Sequence, residues 1–188
     1  MDRRTQRWVA AGALLAPALH TITDAMEWLH GGFTPLQLWL NYLAFVPLPA
    51  VVLGLYAAQL PRITGLGLFG ALTYGFAFIY FTYTTLLALT LRTPNYEQLW
   101  AYLGDVYTAH GVLMILGGGC FGWATLRAGV LPRWTGWLFL AGLTLNLGLG
   151  LLPAPDILQT LGTALRNAGL VGMGWAVAAQ LSPPPVVA

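Results

Sequence analysis

Apolar residues run along this chain in six blocks, at about 8–29, 36–59, 63–91, 98–126, 134–152 and 157–180. Each is long enough to cross a hydrocarbon layer about 30 Å thick as a helix of about 20 residues. The breaks between blocks carry loop chemistry: Gly31-Gly32, Pro61-Arg62, Thr93-Pro94-Asn95, Gly129 through Arg133, and Pro153-Ala154-Pro155-Asp156. The pattern predicts an all-α fold, a polytopic bundle of six transmembrane helices forming one domain over 1–181. The tail, 182–188, is Pro-rich and is expected to be disordered. No internal repeat is visible.

Composition points the same way. The chain of 188 residues is 57% hydrophobic and 7% charged, whereas a soluble domain carries about 25% charged residues. The bilayer is therefore the expected solvent and partner for most of the surface. A net charge of +2 gives no basis for a nucleic-acid partner. All basic residues are arginine, and the single Cys120 cannot form an internal disulfide. The basic start, Met1 to Arg7, precedes an apolar run that contains His20, Asp24 and Glu27 and lacks a small-residue cleavage pattern near position 25. A retained first helix is expected, not a cleaved leader.

Arginine placement sets orientation. Arg3, Arg4, Arg7, Arg62, Arg127 and Arg133 fall on one side of such a bundle, and only Arg92 falls in a loop on the other. By the positive-inside rule both termini are cytoplasmic. Trp8, Trp100, Trp134 and Trp137 lie near block ends, where an aromatic belt belongs.

With that topology the intramembrane ionisable residues share one leaflet. Asp24 and Glu27 lie in the outer half, as does Asp105, while His20, His110, Arg166 and Asn167 lie near the middle. On a helix turning about 100° per residue, Asp24 is about 40° from His20 and Glu27 about 20° to the other side, a single stripe. His30 is about 80° off that stripe and near the surface. A charged residue at mid-membrane costs about 2.5–3.5 kcal/mol on insertion scales, so Arg166 is expected to meet at least one of Asp24, Glu27 and Asp105. Three carboxylates against one arginine leave excess negative charge. A neutral acid beside an ionised one, a protonated histidine or a bound cation would each relieve it. The first arrangement suits general acid–base catalysis. Polar residues that only lock helices together form the plainer reading. His and carboxylate types also suit a metal, but their spacing matches no metal motif, so no metal is assigned.

His20 and His110, at similar depth on different helices, could ligate a b-type haem. The run Thr108-Ala109-His110-Gly111-Val112-Leu113-Met114-Ile115 resembles the haem-ligand helix of haem–copper oxidase large subunits. That resemblance implies His110 as an axial ligand, although the paired histidines and copper ligands of that family are missing. Separately, Arg127-Ala128-Gly129-Val130-Leu131-Pro132-Arg133-Trp134-Thr135-Gly136 is similar to a short cytoplasmic hairpin in uncharacterised bacterial six-helix membrane families. The resemblance implies this topology and a bacterial source, hence a multi-pass protein of the inner membrane, and no reaction.

The third block is crowded with Tyr74, Phe76, Phe78, Tyr80, Phe81 and Tyr83, which cannot all share a face. Some must meet lipid; others offer an aromatic wall able to stabilise a cationic intermediate. Pro17, Pro47 and Pro49 each remove a helix hydrogen bond, and glycines at 117–119, 162, 169, 172 and 174 permit close helix approach. The leading expectation is acid–base chemistry on a lipophilic, isoprenoid-like or other lipid substrate, as by an intramembrane cyclase, isomerase or hydrolase. Glu27 or Asp24 would be the acid, and His20 or His110 the base or orienting group. Asp105 belongs to the same carboxylate set. Arg166 would be the electrostatic anchor, with Tyr80, Tyr83, Tyr107 and Asn167 binding substrate. Alternatives are a b-haem or quinone-linked redox subunit, and a transporter or assembly subunit.

Overall fold

The computed structural model describes residues 1–151 and 156–181. The Pro153 to Pro155 break and the 182–188 tail lie outside the described residues. Only helices and the turns joining them occur among the described residues: α1 (Arg3–His30), α2 (Pro35–Phe45), α3 (Leu48–Ala57), α4 (Gly65–Leu91), α5 (Tyr96–Leu103), α6 (Asp105–Ala128), α7 (Arg133–Leu151) and α8 (Asp156–Ala179). Four rods are long and apolar enough to cross a membrane: Arg3–His30, Pro35–Ala57, Gly65–Leu91 and Asp105–Ala128.

Two apolar blocks are each divided in two. The 36–59 block breaks at Val46-Pro47, because neither Pro47 nor Pro49 can donate to the preceding turn. The 98–126 block breaks at Gly104, whose φ of 56° and ψ of −136° suit only glycine. The helix before that break starts at Tyr96, where the Asn95 side chain accepts a bond from the Gln98 backbone N–H at 3.0 Å. Other ends follow their sequence cues. The Asp2 carboxylate accepts from the Thr5 backbone N–H at 2.8 Å and the Thr5 hydroxyl at 2.9 Å. These bonds hold the Asp2 carboxyl below its ordinary pKa. Gly31 and Gly129 close α1 and α6 in the left-handed conformation.

The long helices close into a ring. α1 packs on α2 and α3, these on α4, α4 on α6, α6 on α7, α7 on α8, and α8 back on α1. Small residues set the spacing of two antiparallel pairs. A Cβ on Gly70 would lie 2.3 Å from the Phe121 backbone nitrogen, and one on Gly117 only 2.4 Å from that of Tyr74. Between α7 and α8, a Cβ on Gly142 would lie 2.3 Å from the Arg166 backbone nitrogen, and one on Gly169 would lie 2.6 Å from that of Phe139. Helix backbones in these pairs therefore touch directly, the close approach that small residues allow in membranes.

Fully buried Tyr74, Phe78, Phe121 and Phe139 fill the middle of the ring. Tyr74 meets Phe78 and Phe139 at centroid distances of 5.1 and 5.4 Å. Of the aromatic crowd on α4, Phe76 and Tyr83 point outward, so the division between core and surface falls within one helix. The end of the bundle where α1 finishes is tied together by the Phe33 backbone N–H, which donates to the Pro94 carbonyl at 2.7 Å. There Leu99 of α5 is buried against Leu38 and Ala88.

Candidate functional site

His20 sits two-thirds of the way along α1 and is 5% exposed. One turn on, Asp24 places Oδ1 3.4 Å from His20 Nε2, within ion-pair range but long for a hydrogen bond. A carboxylate facing Nε2 favours the tautomer protonated there, which leaves the lone pair on Nδ1. Nδ1 is buried and has no hydrogen-bond partner. The imidazole lies edge-on to Phe45 at 4.7 Å and Phe78 at 6.1 Å. It is a histidine oriented by an acid within apolar walls.

The flanking residues of α1 bind it to two neighbours. The Asn167 amide on α8 donates to the Thr21 hydroxyl at 3.1 Å, and that hydroxyl donates to the Pro17 carbonyl at 3.0 Å. Thr23 Oγ1 lies 2.8 Å from the His20 carbonyl and 2.5 Å from Asn41 Oδ1 on α2. Both are acceptors, so the one hydroxyl proton serves the two of them. Thr21, Thr23 and His20 thus hold three faces of α1 in register.

His110 on α6 is also buried. Its Nδ1–H donates to the Tyr107 carbonyl at 2.5 Å, leaving Nε2 as a buried lone pair without a partner. Tyr80, Phe81 and Tyr107 surround its ring at 4.7, 4.4 and 4.6 Å. His20 and His110 do not face each other. Phe45 lies 5.6 Å from both Phe78 and Phe81, and those two lie 5.5 Å apart. These three rings occupy the interval between the imidazoles, the volume a porphyrin would need. The residues present therefore do not fit a bis-histidine haem. Among the described residues no three His, Cys, Asp or Glu side chains converge to hold a metal ion.

Arg166 is 3% exposed on α8, with its backbone seated against Gly142. Its Nη1 donates to the Met114 thioether sulfur at 3.3 Å, and its Nε has no partner. The expected ion pair is not formed among the described residues, where His20–Asp24 is the sole pair within 4.0 Å. Burial first, then Glu27, Tyr107 and Asp24, push the Tyr96 hydroxyl well above its ordinary pKa, and Arg166 opposes them. Tyr107 also lies within electrostatic reach of Glu27 and Asp24. Asp24, Glu27, Tyr107 and Arg166 are therefore all within electrostatic reach of Tyr96.

Other residues singled out from the sequence fall elsewhere. Asp105 is exposed at the first turn of α6, directly after the Gly104 break, where a carboxylate favours the helix dipole. Tyr83 is 53% exposed and contacts Tyr80 at 5.8 Å. Asn167 is committed to Thr21. His30 is exposed, with Nδ1 bonded to the Met26 carbonyl at 2.7 Å. Sequence reasoning passed over Asn41, Gln37, Met114 and Tyr96. Gln37 and Asn41 are polar residues inside an apolar block, a readable signal. Gln37 is fully buried with both amide atoms unpartnered. Met114 carried no signal, because nothing in sequence places a thioether against a guanidinium.

No family model matches the chain, and neither a curated protein nor a solved structure is similar to it.

Proposed function

We propose that this protein is a multi-pass enzyme of the bacterial inner membrane that performs acid–base chemistry on a lipophilic substrate. The observation that carries the reading is His20–Asp24: a carboxylate at 3.4 Å orients a buried imidazole whose other nitrogen is free, between the rings of Phe45 and Phe78. That is the relation of base to orienting acid in general-base sites. Glu27, one turn further along the same stripe, is half-buried and can pass protons between Asp24 and the surface. Arg166, like Asp24 and Glu27, is within electrostatic reach of Tyr96.

The proposal includes six spans, with α7 and α8 completing the bundle and both termini cytoplasmic. The arginine asymmetry supports it, and so does the closed ring of helix contacts. The His20 to Glu27 stripe then lies in the outer half of the bilayer. A C-terminal fusion is expected to be active as a cytoplasmic reporter and silent as a periplasmic one. A periplasmic signal would overturn the topology and the depth of the site together.

The chemical test compares wild type with His20→Gln, which keeps a polar side chain but no base. Total lipid from cells making the wild type is expected to show a converted species that is absent with His20→Gln and with Asp24→Asn. Identical lipid profiles in all three strains would count against an enzyme acting on membrane lipid.

A further inference from the structure

We infer that the end of the bundle where α1 starts carries a binding site for an anionic phospholipid with two phosphates, held by Arg62, Arg127 and Arg133. The site lies at the other end of the ring from Asp24 and Glu27 and does not depend on the chemistry proposed there. Helix geometry, charge and the level of two tryptophans carry it.

In the ring α6 stands between α4 and α7, across from α1. Near its C-terminal end, successive residues divide their contacts. Gly122 faces α7, where a Cβ would meet Leu140 at 2.7 Å, and Ala124 faces α4, 3.2 Å from a Cβ on Gly67. At about 100° per residue, Trp123 falls on the outer sector between those two contacts, and Arg127, one turn on, falls about 40° further round. Both are exposed. Arg62 comes to the same place because the Gln59 amide, three residues before it, donates to the hydroxyl of Thr125, two residues before Arg127, at 3.2 Å. Arg133 opens α7. One turn on, a Cβ on Gly136 would lie 2.7 Å from Leu126, the residue before Arg127. Three exposed arginines on adjoining elements therefore surround the end of α6.

No acid balances them. The first turns of α4 and α7 carry no acidic residue. At this end Asp2 sits on α1 and is engaged by Thr5. None of the three arginines has an ion pair among the described residues. One phosphodiester supplies a single negative charge, whereas a lipid with two comes near to matching three arginines. The planar fork of arginine binds phosphate through parallel bonds, and basic pockets between membrane helices are where such head groups bind. Trp123 and Trp137 are 49% and 53% exposed. Each lies four residues from its arginine toward the middle of its helix, on the same face. Arginine at the phosphate level with an indole one turn deeper follows the layering of a leaflet, so the surface fits both the head group and the start of the chains.

The test uses native mass spectrometry of the full-length protein in detergent and about 0.15 M ammonium acetate, where charges more than about 8 Å apart are largely screened. The probes are tetraoleoyl cardiolipin, dioleoylphosphatidylglycerol and inorganic pyrophosphate. The wild type is expected to hold one cardiolipin, with phosphatidylglycerol bound at least about tenfold more weakly. Arg62→Gln, Arg127→Gln and Arg133→Gln together should weaken cardiolipin binding on the order of 100-fold, at about fivefold for each arginine near the phosphates. Arg3→Gln, Arg4→Gln and Arg7→Gln together remove the same charge from α1, across the ring, and should change binding by less than about threefold. All six side chains are exposed, so both triple variants should keep the wild-type melting temperature. Arg127→Gln alone should cost about fivefold, which keeps the test decisive if a triple variant is unstable. Equal weakening by the two triples would reduce the effect to net charge and overturn the site. Equal affinity for phosphatidylglycerol and cardiolipin would overturn the two-phosphate lipid. Displacement of cardiolipin by pyrophosphate at equal concentration would assign the arginines to a soluble phosphate and overturn the lipid.

Discussion

Arg166→Met is expected to leave the protein folded and at least as heat-stable as the wild type. The sequence alone argues the reverse, since three acids near one arginine look like an ion-pair network whose loss would leave buried carboxylates uncompensated. The structure alters the balance. Arg166 contacts a thioether, and within ion-pair range Asp24 has His20, not Arg166. Replacing the arginine breaks no close pair and relieves a burial cost of about 2.5–3.5 kcal/mol on insertion scales. Thermal unfolding in detergent checks this. A fall in melting temperature would mean that the carboxylates depend on Arg166 for stability, and the guanidinium would then be structural glue. A residue that costs stability and is nevertheless present fits a functional group better than a packing one.

The largest losses of stability are expected at two glycines where helix backbones touch. In Gly142→Ala the new methyl would sit 2.3 Å from the Arg166 backbone nitrogen and 2.4 Å from the Gly162 carbonyl oxygen; in Gly117→Ala it would sit 2.4 Å from the Tyr74 nitrogen. Backbone cannot rotate away as a side chain can, so the helices must part. Each change is expected to cost about 3 kcal/mol, the upper end of ordinary overpacking. Gly119→Ala is the control, because its methyl would meet nothing within 4 Å. It should gain about 0.5–1 kcal/mol from helix propensity. Similar melting temperatures for all three variants would show that the α4–α6 and α7–α8 contacts are looser than described.

The helical character of the chain was legible because apolar runs longer than 18 residues have few other meanings, and the loop chemistry at Gly31, Pro94 and Gly129 marked where they end. Pro47 was visible as a break in a helical hydrogen-bond pattern, but whether a proline bends a helix or divides it depends on its neighbours. Gly104 was not legible as a break, since glycine is common inside membrane helices and its positive φ is a property of the folded backbone. The stripe from His20 to Glu27 followed from the 3.6-residue period, and the His20–Asp24 contact lies on it. Contacts between helices were beyond that arithmetic. Depth placed Arg166 near the same leaflet as the acids, but its side chain meets Met114 instead. Likewise His20 and His110 share a depth, yet Phe45, Phe78 and Phe81 stand between them, and no single-helix pattern reports what fills such an interval.

The most direct measurement of the central claim is proton exchange into lipid. Purified protein in nanodiscs made from native lipid extract is incubated in heavy water, and the lipids are read by mass spectrometry. A base at His20 and an acid on the same stripe are predicted to place deuterium at carbon in one lipid species with the wild-type protein. His20→Gln should leave that species unlabelled. Deuterium at carbon in neither sample, or to the same extent in both, would contradict acid–base catalysis by His20–Asp24.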